Sequence, residues 1–132
     1  MTAEDIVRDV IVTSPFGGLV GVRLLDVTPG RVRVALPFRP EVTTVGDVVH
    51  GGAIAALVDV AATAAVWSEV EPGTSTRGTT VGFTVNFLAA GRGEDLVAAA
   101  SVIQRGRTLC VCDVEVRGAA PVARALVTYK LG

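Results

Sequence analysis

The chain has 132 residues, half of them apolar, and 13 acidic against 12 basic side chains leave a formal net charge of −1. That length suits one domain with a substantial core, and that hydrophobicity excludes a disordered or collagen-like chain. Charges of both signs are scattered, which excludes the basic footprint that nucleic acid demands.

Within residues 3–12, Ile6, Val7, Val10 and Ile11 fall on one helical face, so a short amphipathic helix is predicted inside residues 1–14, stopped by Ser14-Pro15. The start, Met1-Thr2-Ala3-Glu4-Asp5, has neither the basic region nor the apolar run of a secretory signal, and a cytoplasmic protein is expected. Residues 19–27 and 31–37 read as two strands joined by the turn Thr28-Pro29-Gly30. In the second, Val32, Val34 and Leu36 alternate with Arg31, Arg33 and Ala35, as a half-buried strand requires.

A loop over residues 38–49, with Pro40 and Gly46, leads into an Ala-rich helix predicted at 50–68, and Glu71-Pro72-Gly73-Thr74 is the expected stop. The helix is apolar nearly all round and therefore buried on most sides. It is long enough to cross a membrane, but His50, Asp59 and Thr63 interrupt it and no basic flank anchors it. Four more strands are predicted at residues 78–88, 95–104, 107–117 and 122–130. Their joints, Ala90-Gly91-Arg92-Gly93, Arg105-Gly106 and Gly118-Ala119-Ala120-Pro121, are short and rich in Gly or Pro, so antiparallel hairpins are expected at all three. A sheet curled around the helix would bury it, and the alanines would let the sheet approach closely. Cys110 and Cys112, two apart in a strand, share a face but are too close for an unstrained bridge, so reduced, buried thiols are expected.

Asp59 is the one charge inside the apolar helix, and an unpaired carboxylate there is costly to the fold, which directs attention to catalysis. With His50-Gly51-Gly52 before it and Thr63 one turn after it, the segment resembles the hotdog-fold acyl-CoA thioesterases of the phenylacetate-degradation and 4-hydroxybenzoyl-CoA type. The run Thr80-Val81-Gly82-Phe83-Thr84-Val85-Asn86-Phe87-Leu88 resembles the strand that follows the helix in that family. Gly106-Arg107 and Val127-Thr128-Tyr129 resemble its last two strands. The resemblance implies an α+β hotdog fold, a curved antiparallel sheet of five to six strands wrapped around a long central helix. It implies hydrolysis of an acyl-CoA thioester to an acid and free coenzyme A, with coenzyme A part of the substrate and neither metal nor other cofactor required.

By the same resemblance, Asp59 is the nucleophile or general base and the Gly51 N–H polarises the thioester carbonyl. A helix start, with free N–H groups and a positive dipole end, suits a developing oxyanion. Thr63 would orient the carboxylate or a water, and Thr80 stands where some members place a water-positioning serine. Thr44 occupies the place of an Asn or Gln that contacts the thioester or its water, a shorter group in this chain. Asp47 replaces a common glycine, and Ala89-Ala90 stands where Arg-Pro is frequent. Gly52 falls in the substrate-binding turn.

Bland readings stand beside these roles. His50 fits a structural or substrate-orienting group better than a proton carrier. Thr63 can equally bond its own i−4 carbonyl. Arg105 and Arg107 can hold coenzyme A phosphates or be solvated turn charges. Phe83, Phe87 and Trp67 can line an acyl pocket or fill core. Ser14, Ser68, Ser75 and Ser101 lack a nucleophile elbow and a His partner, against a serine hydrolase.

Asp59 follows Gly51 by eight residues, about 12 Å along a helix, too far for both to touch one carbonyl. If both act on one thioester they come from different subunits of a symmetric dimer. The resemblance implies the same cross-subunit site, commonly in a homotetramer built from two dimers. Two rivals remain: a non-catalytic acyl-CoA-binding protein, and a hotdog hydratase or dehydratase, whose His–acid motif this chain does not display.

Overall fold

The structure is a computed structural model and describes residues 1–71, 73 and 77–132. Helix α1 (Ala3–Ile6) runs on into a π-helical turn (Val7–Val12), followed by α2 (Pro15–Val20), β1 (Arg23–Thr28), β2 (Arg31–Leu36) and a 3-10 turn (Pro40–Val42). Then come α3 (Gly51–Trp67), β3 (Gly78–Phe87), β4 (Leu96–Arg105), β5 (Leu109–Arg117) and β6 (Pro121–Leu131). The strands form one six-stranded sheet in the order β1-β2-β4-β5-β6-β3, antiparallel at every pairing. It curves around α3, which is the hotdog fold.

Two sequence expectations are corrected. Residues 19–20 belong to α2, not to a strand. Ser14 Oγ accepts the Gly17 N–H at 3.2 Å, Pro15 takes the first helical turn, and Gly21 closes the helix with φ 88°. Ser14-Pro15 therefore starts a second helix as well as ending the first. The joint after β3 is not a hairpin either, because β3 pairs with β6 and never with β4. That joint pairs instead with the loop before α3: the Val49 N–H donates to Gly91 O at 2.9 Å and the Gly93 N–H to Asp47 O at 2.9 Å. Asp47 thereby anchors the loop that delivers the helix start. The other two joints are hairpins, as expected.

α3 lies in the concave face. Leu57, Val58, Ala61, Ala62, Ala64, Ala65 and Val66 are fully enclosed, facing Val34, Ala98, Cys112, Val114 and Val127 of the sheet. Each Leu or Val buried this way contributes about 1.5–3 kcal/mol. The helix starts with His50, whose Nδ1 accepts the Gly52 N–H at 2.7 Å. It ends at Trp67, ahead of the predicted stop, of which Pro72 and Thr74 lie outside the described residues. Ser68 Oγ donates to Ala65 O at 2.6 Å and accepts the Gly30 N–H at 2.9 Å, which ties the helix end to the β1–β2 turn. Among the described residues no helix is long and apolar enough to cross a membrane. Cys110 and Cys112 are free and buried, and burial pushes the Cys112 thiol up to about 12.

Candidate active site

One strip of α3 escapes the sheet. Gly52 is exposed, and Ala55, Ala56, Asp59 and Thr63 are only half-buried. These residues recur at three- and four-residue spacing and so form a continuous stripe. β3 runs beside this stripe as the sheet's edge strand. Its residues Phe83, Val85 and Phe87 stand opposite the buried Val127, Ala125 and Ala123 of β6, so they point to the concave side. Phe83 is nevertheless 39% exposed and Phe87 54%. Large apolar groups on an inner face that stay open to solvent mark a surface awaiting a cover.

Asp59 is not unpaired. Thr80 Oγ1 donates to its Oδ1 at 2.6 Å, a charge-assisted bond. Thr80 reaches the acid from an irregularity in β3: register with β6 shifts between Thr80, opposite Tyr129, and Gly82, opposite Thr128. The extra residue bends the strand and re-aims Thr80. Behind it lies a polar contact that sequence reading missed. Buried Tyr129 accepts the Trp67 Nε1–H at 2.9 Å. Burial raises the Tyr129 pKa most, the Asp59 charge raises it further, and the Trp67 bond opposes them. A Cβ at Gly78 would overlap the Tyr129 ring and hydroxyl, so glycine there lets the edge strand close over them. In sequence the signal was only a Gly at a strand start and an aromatic in the facing strand. Nothing local links 67 with 129.

The helix tip holds the second group of candidates. Gly51 is the first residue of α3, and its N–H has no acceptor among the described residues. The Phe87 ring lies 3.5 Å from where a Gly51 Cβ would sit, ordinary contact. His50 Nδ1 is occupied by Gly52, so in the neutral ring the proton sits on Nε2. Thr44 is exposed in the loop, its N–H bonded to Val48 O at 2.8 Å, and it belongs to neither group. Thr63 sits one turn beyond Asp59, half-buried. Arg105 is engaged elsewhere: its guanidinium donates to Val66 O at 2.8 Å and to Glu69 at 3.1 Å, fastening the C-terminal end of α3. Arg107, at the β4–β5 turn, is exposed with no carboxylate in ion-pair range among the described residues. Ala89 and Ala90 line a cleft of about 370 Å³ beside Phe87 and Leu88. A larger cleft of about 510 Å³ lies between α2, Arg39 and the start of α3, lined among others by Phe16, Val42, His50, Gly52 and Ala56.

A sheet curled around an enclosed helix, with a half-open acid two turns along that helix from its glycine-rich tip, is the hotdog architecture. The sequence profile of the thioesterase superfamily matches residues 46–122, from the loop before α3 into β6, and the chain belongs to that superfamily. It is 34% identical over 109 residues to a protein of Halobacterium salinarum provisionally named an esterase, covering 80% of this chain and 72% of that one. Among solved structures it resembles a thioesterase family protein from Silicibacter pomeroyi, with TM-score 0.89, 27% identity and coverage of 98% and 97%. It also resembles thioesterase superfamily member 2 of zebra fish, with TM-score 0.82, 28% identity and coverage of 100% and 99%.

Proposed function

We propose that the protein hydrolyses acyl-CoA thioesters, and that each active site is shared between two copies of the chain. The observation that carries this reading is the pairing of Asp59 with Thr80 on an uncovered strip of α3, at one end of which the Gly51 N–H has no acceptor among the described residues. Pairing two β3 edges antiparallel would cover Phe83 and Phe87 and set the two helices side by side, head to tail. Gly51 of one copy then faces Asp59 of the other across a single thioester. Two such dimers make the homotetramer that the resemblance implies.

The Gly51 N–H would stabilise the oxygen that gains charge as the carbonyl becomes tetrahedral. Asp59 either draws a proton from water or attacks the carbonyl carbon itself; its bond from Thr80 fixes the carboxylate in both cases. Thr63, one turn away, would complete the setting of the water. Arg107 is the better placed of the two turn arginines to meet coenzyme A phosphates, because Arg105 is committed to Val66 and Glu69.

A panel of acyl-CoAs with a chromogenic thiol reagent tests the activity. Thiol release is expected, and Asp59→Asn is expected to reduce it about 10²–10⁴-fold if the acid is a general base. Near-normal turnover by that variant would remove Asp59 from the mechanism. Binding without thiol release by the unaltered protein would leave a carrier instead.

A further inference from the structure

The 510 Å³ cleft beside α3 contains a group that hydrolysis does not use. Arg39 is half-buried, while Arg23, Arg31, Arg77 and Arg107, the other arginines without an ion-pair partner among the described residues, are all exposed. Its guanidinium packs over Gly21 and donates one N–H to Leu19 O at the end of α2. Its Nε is the buried side-chain polar atom that finds no partner among the described residues. A cation held in an apolar wall without a counter-charge is unfavourable in the empty protein. The rest of the wall is largely apolar, with Phe16, Val42 and Ala56 among its residues. Glu41 also lines it, but is exposed and makes no ion pair with Arg39 among the described residues.

The cleft also reaches His50 and Gly52, the residues on either side of Gly51. An acyl group whose carbonyl oxygen meets the Gly51 N–H, and whose chain turns past His50 and Gly52 into the cleft, runs toward Arg39. We infer that this cleft accepts an acyl group ending in a carboxylate, so that the substrate is the coenzyme A half-thioester of a short dicarboxylic acid. The inference rests on the thioesterase reading. The guanidinium supplies the counter-charge for the far carboxylate. The reaction itself is ordinary hydrolysis: the water oxygen bonds to the carbonyl carbon, the C–S bond breaks, and the sulfur leaves as coenzyme A thiol. A second carboxylate remains at the other end of the product. Discrimination follows because only a chain ending in a carboxylate gives the Arg39 cation a counter-charge, while an uncharged chain leaves it as it stands in the empty cleft.

Matched pairs read this directly: glutaryl-CoA against pentanoyl-CoA, and adipyl-CoA against hexanoyl-CoA. The unaltered protein should favour the charged member by about tenfold or more in kcat/KM. Arg39→Met should abolish that preference while leaving the uncharged thioesters within about twofold. The wild-type ratio stands by itself should the variant fail to fold. Preference for the uncharged chains, or equal loss on both with Arg39→Met, would overturn the inference. Calorimetric binding of the same four thioesters to Asp59→Asn separates it from the catalytic reading. Selective binding of the charged pair without hydrolysis by the wild type would sink the hydrolase and keep the pocket; hydrolysis without selectivity would do the reverse.

Discussion

Asp59 and Cys112 lie on the same helix–sheet boundary and meet opposite fates. Asp59 keeps a route to solvent and accepts the Thr80 hydroxyl, so it stays reachable. Cys112 is fully enclosed, and its thiol, at about 12 against an ordinary 9.0, is held protonated chiefly by burial. Between those values the unfolded chain has released a proton that the native chain still holds, so stability falls as pH rises. A denaturant midpoint followed from about pH 8 to about pH 11 should decline, and Cys112→Ala should flatten the first part of that decline. Tyr129, also raised by burial, acts in the same sense at higher pH in both proteins. Parallel curves for wild type and variant would remove Cys112 from the account. The same burial keeps both thiols from consuming the reagent in a thiol-release assay.

At the scale of elements, the acid depends on an edge strand and a tyrosine. β3 brings Thr80 to Asp59 only because its first residue, Gly78, leaves room for Tyr129, itself fixed by Trp67. Gly78→Ala should displace the start of β3, cost about 1–3 kcal/mol of stability and lower kcat more than it changes KM. Unchanged stability and turnover would show that the strand start is free to adjust. Much of this architecture could be read from the chain. The helix declared itself by a capping turn, an unbroken apolar run and a lone acid, and the alternation in residues 31–37 announced a strand whose Val32, Val34 and Leu36 are buried as expected. What escaped was non-local. Leu19 and Val20 fit a strand by composition, and Ser14-Pro15 reads as the end of one helix although the same pair starts a second, which Gly21 closes. The eight residues between β3 and β4 resemble a hairpin joint in composition. Their true partners are the backbone groups of Asp47 and Val49, remote in sequence. Arg39 gave no signal at all, since its burial is imposed by α2 and Gly21.

For the whole molecule, the proposed shared site makes a sharp prediction. His50 has φ −63° and ψ 133°, the extended backbone that proline tolerates before it, and proline suits the first position of a helix. Gly51→Pro therefore deletes the N–H with little damage to α3, and should cost about 10²–10³ in turnover. Gly51→Pro and Asp59→Asn homodimers should each be nearly inactive. Unfolded and refolded together, they should recover about a quarter of wild-type activity, because half the dimers are mixed and each mixed dimer holds one intact site. No recovery would mean that both groups act within one subunit.

The two borders of the sheet differ in a way that bears on how large the particle can become. β1 is six residues long, irregular between Leu24 and Asp26, and carries exposed charge in the Asp26–Arg33 ion pair that ties it to β2, devices that discourage another strand from adding. β3 has ten residues and a row of Val81, Phe83 and Phe87 turned to water. Once two β3 borders have joined, only the guarded β1 borders are left at the far ends. In the proposed dimer, accretion strand by strand would halt after that one step, and a chain this rich in β-structure and apolar surface would close into a finite particle instead of a fibril.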